Sequence, residues 1–312
     1  MKLVFVMNSW HSPHGRALPE VGRRTLVMGI LNVTPDSFSD GGELPAVPAV
    51  LDRAAHMLAA GADLLDIGGE STRPGARPVG EAEELGRVLP AIRALRERWP
   101  AVPLSIDTFK PAVAVAAIEA GADIINDVWG LMHGLTGGER TRLLAALDSP
   151  ASLPVAPMAA TAARLGCPVV LMHNRPDRAY REFWTDVLRD LRLSLALAQR
   201  AGIASHQIWL DPGFGFAKDV AQNLEILRHL GRVVGLGYPV LVGTSRKSTL
   251  GTVLGTTVAD RLEGTAATSV WAIQQGCAMI RVHDVGPLVR CARMADAIKA
   301  GLTFQPTEPW TN

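Results

Sequence analysis

The stretch Val47–Ile67, VPAVLDRAAHMLAAGADLLDI, contains the unit that repeats through this chain. Residues 47–60 are rich in Ala and Leu and predict a helix. Gly61 follows it, and glycine accepts the left-handed conformation that commonly ends a helix. Residues 63–67 form a short apolar run, which is typical of a strand buried on both faces of a parallel sheet. The stretch therefore predicts one helix–strand unit.

The same alternation occurs along most of the chain. Eight apolar runs predict strands: Thr25–Leu31, Asp63–Ile67, Pro103–Ile106, Asp123–Ile125, Pro168–Met172, Gln207–Leu210, Pro239–Val242 and Ala278–Val282. Eight segments predict helices: Val47–Ala60, Glu81–Trp99, Ala112–Ala120, Ala159–Leu165, Arg181–Ala201, Gln222–Leu230, Arg261–Gln275 and Leu288–Ala300. Eight such alternations predict a single-domain (β/α)₈ TIM barrel of the α/β class. An open doubly wound sheet is the second alternative, because such sheets usually have fewer strands.

The barrel is expected to span residues 25–305, with an extension at 1–24 and a tail at 306–312. The extension is expected either to cover the bottom of the barrel or to fray. A Gly/Pro/Ala-rich insertion at about 131–158 follows a strand end, with a short helix predicted at Glu139–Leu147.

The composition limits the classes of function. Hydrophobic residues make up 48% of the 312 residues and charged residues 20%, which excludes a disordered chain. A net charge of +1 and 5% aromatic residues argue against a nucleic-acid partner. No apolar stretch approaches the roughly 18 residues of a membrane helix, and three cysteines without metal-ligand spacing fit a reducing compartment. We therefore expect a cytoplasmic protein without a membrane partner.

Polar residues lie near the end of every predicted strand or directly after it. They include Asn32, Asp66, Asp107, Asn126, Asp127, His173, Asp211, Lys247, Arg281 and His283. In a parallel barrel all these strand ends lie at one face, where active sites of this fold occur. Single residues have simpler interpretations, since Asp107 and Asp211 could cap helices and His173 could be a core histidine. The convergence of eight polar clusters favours a functional site.

The residues after the central strands suit a flat polar ring. Buried carboxylates such as Asp107 and Asp211 need partners, and the amino and ring N–H groups of a heterocycle supply them. Asn126 adds a donor and an acceptor, and Lys247 is positioned to face a ring carbonyl or nitrogen. This set predicts recognition of a polar, planar heterocycle.

The residues of the first and last strands suit an anion. Arg281 and His283, two residues apart at the end of strand 8, fit a phosphate or diphosphate, together with Ser71, Thr72 and Arg73. Asn32 on the neighbouring strand 1 offers a neutral oxygen for Mg²⁺ bridging phosphate oxygens. The alternative, structural pairing of Arg281 and His283 with Asp284 or Glu70, leaves Asn32 and the glycine-rich loops unused.

Seven motifs in this order resemble the dihydropteroate synthase family. They are MGILNVTPDSFSDGG at 28–42, DIGGESTRPG at 66–75, SIDT at 105–108, IND at 125–127, LDPGFGF at 210–216, GTSRKS at 243–248 and RVHD at 281–284. The resemblance runs from about Thr25 to Ala300. It implies a transferase of folate biosynthesis that joins 6-hydroxymethyl-7,8-dihydropterin diphosphate to 4-aminobenzoate, giving 7,8-dihydropteroate and pyrophosphate with Mg²⁺ required.

The resemblance also implies roles for individual residues. Residues expected to hold the pterin are Asp107, Asn126, Asp211 and Lys247, with Met172 and Phe216 also contacting substrate. Asn32 is expected to bind Mg²⁺ with the diphosphate, which Arg281 and His283 also bind. Residues expected to enclose 4-aminobenzoate, where sulfonamides would compete, are Phe38, Thr72, Arg73, Pro74 and Ser248. Asn32, Asp107, Asp211, Lys247, Arg281 and His283 form the expected catalytic set, acting in an SN1-like reaction.

Some features leave alternatives open. The loop after His173, Asn174–Asp177, departs from the family pattern, as does the length of 131–158. A pterin-binding methyltransferase with a corrinoid partner shares the barrel but does not need the anion set. A catalytically silent pterin-binding paralogue is the third alternative. Helices near the C-terminus offer an apolar face, and we expect a homodimer.

Overall fold

The computed structural model describes residues 10–34, 47–71, 77–147 and 149–303. The strands are β1 Leu26–Asn32, β2 Leu64–Gly68, β3 Leu104–Asp107, β4 Ile124–Asp127, β5 Val169–Met172, β6 Ile208–Asp211, β7 Leu241–Val242 and β8 Met279–Val282. The helices are α1 Val47–Ala59, α2 Glu81–Arg98, α3 Pro111–Glu119, α4 Gly137–Ala145, α5 Pro157–Leu165, α6 Phe183–Arg200, α7 Val220–Arg228, α8 Gly231–Val234, α9 Ser248–Leu254, α10 Leu262–Gln274 and α11 Val285–Ala300.

The strands form one parallel sheet in the order β6-β5-β4-β3-β2-β1-β8-β7. A parallel bridge between Leu210 and Val240 joins β6 to the residue before β7, so the sheet closes into the predicted (β/α)₈ barrel. β7 is two residues long, although the sequence predicts Pro239–Val242. Pro239 has no N–H to donate and takes part through its carbonyl, which accepts from the Leu210 N–H at 2.9 Å.

The N-terminal end of the barrel is filled by apolar side chains. Trp10 is buried against Trp209, with ring centroids 4.9 Å apart. The same cluster contains Leu26, Met28, Leu64, Ile124, Val170, Leu241 and Met279. Trp10, the first described residue of the predicted extension, therefore packs into the bottom of the barrel.

The segment 131–158 is partly helical. It contains α4, a 3₁₀ turn at Pro150–Ser152 and the first residues of α5. α4 begins two residues before the predicted Glu139, because Thr136 and Glu139 form a reciprocal capping box. α4 then packs on α6, so the insertion lies against the barrel's outer helical layer.

The sequence pattern does not predict two short helices, α8 and α9. Four and seven residues are too few for a clear helical period, so the pattern of apolar residues does not reveal them. α9 begins at Ser248, directly after the predicted site residue Lys247. None of the helices in the described ranges combines the length and the apolar character needed to cross a membrane.

Candidate active site

The carboxyl ends of the first four strands lie side by side. Asn32 pairs with Gly68 across β1 and β2, Gly68 with Asp107 across β2 and β3, and Asp107 with Asn126 across β3 and β4. Because parallel strands start and end at the same levels, this register brings the polar residues of successive strands to one mouth. The predicted convergence at the C-terminal face is therefore present for these strands.

Arg281 of β8 joins two carboxylates across this mouth. Its Nε donates to Asp66 Oδ2 at 2.6 Å, and its Nη2 donates to Asp107 Oδ2 at 2.7 Å. Asn126 Nδ2 also donates to Asp66 Oδ2, at 3.0 Å. The four residues come from four different strands and form one connected polar cluster.

The cluster shifts the protonation of its members. Burial raises the pKa of Asp107 to about 7, and the charge of Asp66 acts in the same direction, while Arg281 opposes both. Burial opposes protonation of Arg281, but Asp66 and Asp107 together raise its pKa. Two carboxylates thus share one guanidinium, and Asp107 can change its charge near neutral pH.

Asp211 and Lys247 complete the opposite wall of the mouth. Asp211, at the end of β6, accepts from the Gly213 N–H at 2.7 Å. Burial raises the pKa of Asp211, whereas the charges of Lys247 and Arg281 oppose the rise. The Lys247 ammonium contacts the Phe214 carbonyl and lies 4.5 Å from the centre of the Phe216 ring.

A glycine permits the approach of Lys247. Gly215 has a φ of 84°, and a Cβ at this position would lie 2.6 Å from Lys247 Cδ. Any other residue would therefore push the lysine stem out of place. Burial lowers the pKa of Lys247 to about 8, with Asp211 opposing the decrease. Lys247 and Asp211 therefore influence each other's charge within one site.

His283 lies just beyond the end of β8. Ser245 Oγ accepts from the His283 backbone N–H at 3.1 Å and lies 2.9 Å from Nδ1 of the ring. Burial lowers the pKa of His283 to about 3, and Arg281, Arg246 and Arg53 act in the same direction. The ring is therefore neutral near pH 7. A neutral imidazole has one N–H donor and one acceptor nitrogen.

A cleft with a volume of about 480 Å³ opens beside His283. It lies between α1, which contributes Arg53 and His56, and the first residues of α11, which include Gly286. Asn32 Oδ1 lies at the end of β1, 3.6 Å from the position a Cβ would take on Gly68. Asn32, Arg281 and His283, three of the residues expected to bind an anion, thus lie at the ends of β1 and β8.

The structure shows how the two predicted sets of residues meet. Arg281, assigned to the anion set, is bonded to Asp107, a member of the heterocycle set. The pairing of β1 with both β2 and β8 brings Arg281 close to the ends of β2 and β3. Arg281 therefore connects the two sets.

Other polar residues near the strand ends have structural partners, and the alternative pairing of Arg281 and His283 with Asp284 or Glu70 does not occur among the described residues. Glu70 pairs with Lys110, and Asp284 pairs with Arg246 rather than with Arg281 or His283. Asp127 accepts from the backbone N–H groups of Trp129 and Leu131 and so shapes its own loop. His173 is fully buried in the core, as its apolar strand predicts.

Several predicted substrate contacts can be placed and others cannot. Met172 is buried at the end of β5, and its register partner on β6 is Asp211. Phe216 is half-buried beside Lys247, and Ser248 is exposed at the start of α9. The four remaining predicted contacts, Phe38, Thr72, Arg73 and Pro74, lie outside the described residues.

Sequence reasoning assigned no role to Asp66, which the structure places at the centre of the cluster. Asp66 is fully buried, and its Oδ1 has no hydrogen-bond partner among the residues that the structure describes. A buried polar atom without a partner is uncommon in a protein interior. The available signal was a charged residue within an otherwise apolar strand, LLDIG.

The possible metal ligands are few. The described ranges contain no group of three or more His, Cys, Asp or Glu side chains arranged to hold a metal ion. Mg²⁺ bound through substrate phosphates keeps several waters and needs one or two protein oxygens. Asn32 Oδ1 at the end of β1 can supply one such oxygen.

Comparison with known proteins agrees with this geometry. Residues 28–283 match the family model described as pterin binding enzyme. The dihydropteroate synthase of Bacillus subtilis is 47% identical over 275 residues, which cover 88% of this chain and 89% of that protein. This chain belongs to the dihydropteroate synthase family. The resemblance inferred from the seven motifs is confirmed.

Solved dihydropteroate synthases also share the fold. The Xanthomonas albilineans enzyme, solved with 4-aminobenzoic acid, is 42% identical with a TM-score of 0.81, and the match covers 94% of this chain and 99% of that one. The Yersinia pestis enzyme, solved with a sulfonamide drug, is 40% identical with a TM-score of 0.77, covering 89% and 95%. Dihydropteroate synthases with the same barrel therefore bind small aromatic molecules.

Proposed function

We propose that this protein joins 6-hydroxymethyl-7,8-dihydropterin diphosphate to 4-aminobenzoate, with release of pyrophosphate. The observation that carries the proposal is the connection of Arg281 to Asp66 and Asp107 at the mouth that also contains Asp211. Acidic groups for a nitrogen-rich ring and a cation for a leaving diphosphate are thereby held within one site. Membership of the dihydropteroate synthase family supports the same reaction.

The pterin ring is recognised by the carboxylates and the amide. Asp107 and Asp211 accept hydrogen bonds from the amino and ring N–H groups, which supply the partners that buried carboxylates need. Asn126 adds an amide, and Lys247 faces a ring carbonyl or nitrogen. Met172, buried at the end of β5, contacts the ring face.

The bond between the pterin methylene carbon and the diphosphate oxygen breaks first, and its electron pair leaves with the diphosphate. Ring electrons stabilise the cation that remains, and the nearby carboxylates Asp107 and Asp211 favour it electrostatically. The guanidinium of Arg281 and an N–H group of the His283 ring take up the charge of the departing diphosphate. Asn32 Oδ1 would hold Mg²⁺, and a bound Mg²⁺ would supply positive charge that offsets the charge of the leaving group.

The aniline nitrogen of 4-aminobenzoate then forms a bond to the methylene carbon and loses a proton to solvent. In the described residues, Phe216 lies beside Lys247, and Ser248 follows Lys247 at the start of α9. Four residues are proposed to enclose the aminobenzoate, namely Phe38, Thr72, Arg73 and Pro74. Sulfonamides, which resemble 4-aminobenzoate, are proposed to compete for the same place.

We also propose that the protein forms a homodimer through α10 and α11. These helices pack on each other and expose Trp271, Met294 and Ile298, each more than half accessible. Exposed large apolar side chains are typical of a protein interface. Light scattering of the wild type and of Ile298→Glu tests this, since the variant is expected to become monomeric. A monomeric wild type would contradict it.

The decisive experiment incubates the protein with pterin diphosphate, Mg²⁺ and labelled 4-aminobenzoate. Labelled dihydropteroate and pyrophosphate in equal amounts are expected. Pterin binding without product would indicate a silent paralogue. Methyl transfer from methyltetrahydrofolate to a corrinoid partner would indicate the methyltransferase alternative, and either result would refute the proposal.

A further inference from the structure

A buried lysine lies next to the turn that follows Asp211, and the proposed reaction gives it no role. Lys218 is 3% exposed, and its Nζ lies 2.9 Å from the Gly213 carbonyl, 3.0 Å from the Phe216 carbonyl and 2.9 Å from His173 Nδ1. An ammonium has three N–H donors, so each can find an acceptor here. Lys218 thus ties the turn after β6 to the end of β5.

This contact fixes the protonation of His173. Because Lys218 donates to Nδ1, the His173 proton lies on Nε2, which donates to Asp190 Oδ2 at 3.1 Å. Burial and the neighbouring Lys218 lower the pKa of His173 to about 3, so the ring is neutral. A neutral ring with one donor and one acceptor connects Lys218 to Asp190.

Asp190 in turn reaches the inserted segment. It is fully buried on α6, and its Oδ2 accepts from Arg175 Nε at 2.7 Å and contacts the guanidinium of Arg140. Arg140 belongs to α4, in the segment 131–158. The insertion therefore contacts the barrel through a buried charge.

The turn that Lys218 contacts directly follows the carboxylate Asp211 at the end of β6. The Gly213 N–H donates to Asp211 Oδ1 at 2.7 Å, while the carbonyl of the same glycine accepts from Lys218. The Asp211 carbonyl accepts from the His173 N–H at 2.8 Å. Gly213 has a φ of 68°, and a Cβ there would lie 1.9 Å from the His173 carbonyl oxygen, so the turn has little room to move.

We propose that Lys218 is a positioning residue that holds the Gly213–Phe216 turn so that Asp211 faces the pterin, and that Arg140 supports it through Asp190 and His173. The inference rests on the proposed function, because it gives Asp211 a pterin to bind. It assigns a role to the insertion and to the residues beneath the pterin site. Lys218 acts through Asp211 and does not contact the substrate.

The first test compares Lys218→Met with the wild type by calorimetry and kinetics. The dissociation constant for 6-hydroxymethyl-7,8-dihydropterin diphosphate is expected to rise at least about tenfold, since small displacements of binding groups are costly. The KM for 4-aminobenzoate is expected to stay close to the wild-type value, because a general loss of structure would change both. Lys299→Met, an exposed lysine on α11, is the matched control and should change neither.

A double-mutant cycle tests whether Lys218 acts through Asp211. If it does, the affinity loss in Lys218→Met/Asp211→Asn is expected to be smaller than the product of the two single losses. Losses that multiply would show that Lys218 acts independently of Asp211 and would overturn the proposal.

Arg140→Met keeps the proposal testable if Lys218→Met does not fold, because Arg140 lies on the outer helix α4. Its pterin dissociation constant is expected to rise about threefold or more, the range typical of residues that act through a network. One outcome is that the wild type binds the pterin and that Arg140→Met and any folded Lys218→Met bind it with unchanged affinity. This result would overturn the positioning role alone. A wild type that does not bind the pterin would refute the proposed function as well.

Discussion

The two ends of the barrel both bury carboxylates, but they surround them with different numbers of donors. At the N-terminal end, Asp123 accepts from Ser12, Arg16, Arg96 and the Leu104 N–H, all between 2.5 and 2.9 Å. At the C-terminal mouth, Asp66 and Asp107 share Arg281, and Asp66 Oδ1 has no partner in the described part of the chain. A fully bonded carboxylate stabilises the fold, whereas an under-bonded one has capacity left for a ligand.

The comparison predicts that removing an arginine lowers catalysis at one end of the barrel and stability at the other. Arg281→Ala is expected to lower kcat/KM at least about 100-fold, because it removes a charged donor from the leaving diphosphate. Arg16→Ala at the other end should cost roughly 2 kcal/mol of unfolding free energy and leave kcat/KM near the wild-type value. Steady-state kinetics and denaturant unfolding of both variants distinguish the two roles. Near-normal turnover in Arg281→Ala would remove its leaving-group role.

The next largest effect is expected at Asp211. Asp211→Asn keeps the size of the side chain but removes the charge that accepts from the pterin N–H groups. Its dissociation constant for the pterin diphosphate should rise about 10- to 100-fold, the range for a hydrogen bond to a charged group. Calorimetry that finds unchanged affinity would contradict the assignment of Asp211 to the pterin.

The pH dependence tests the shared guanidinium. The Asp107 carboxylate is ionised above its pKa of about 7 and gains a proton as the pH falls through that value. kcat/KM for the pterin diphosphate should therefore fall about tenfold per pH unit well below 7. Asp66→Asn removes a charge that raises this pKa, so the acid limb should move to lower pH. The limb should not move in Asp296→Asn, a carboxylate that accepts from Thr25 at the other end.

The smallest catalytic effect is expected at the N-terminal end of the barrel. Trp10→Ala empties the space beside Trp209 and should cost about 3–5 kcal/mol of unfolding free energy. kcat/KM of the folded variant should remain close to that of the wild type, because the apolar cluster lies at the opposite end from the mouth. A large loss of kcat/KM at a temperature where the variant is folded would show that the two ends are coupled.

The same contrast explains what the sequence could predict. The eight strands were visible because parallel strands buried on both faces are short apolar runs, and the mouth was visible because polar residues follow each run. The role of Asp66 was not, because its partner Arg281 is 215 residues away and meets it only when β1 joins β2 to β8. The start of α4 could be predicted from its capping residues Thr136 and Glu139. The burial of Lys218 could not, because it depends on contacts with His173 after β5 and with the turn after β6.

The central claim is that one mouth holds the pterin through Asp211 and its diphosphate through Arg281. Calorimetry of 6-hydroxymethyl-7,8-dihydropterin, with and without the diphosphate, on wild type, Asp211→Asn and Arg281→Ala tests it most directly. We expect Asp211→Asn to weaken both ligands by a similar factor, and Arg281→Ala to lose most of the additional affinity that the diphosphate provides. The claim is contradicted if Arg281→Ala keeps that additional affinity, or if Asp211→Asn binds both ligands as tightly as the wild type.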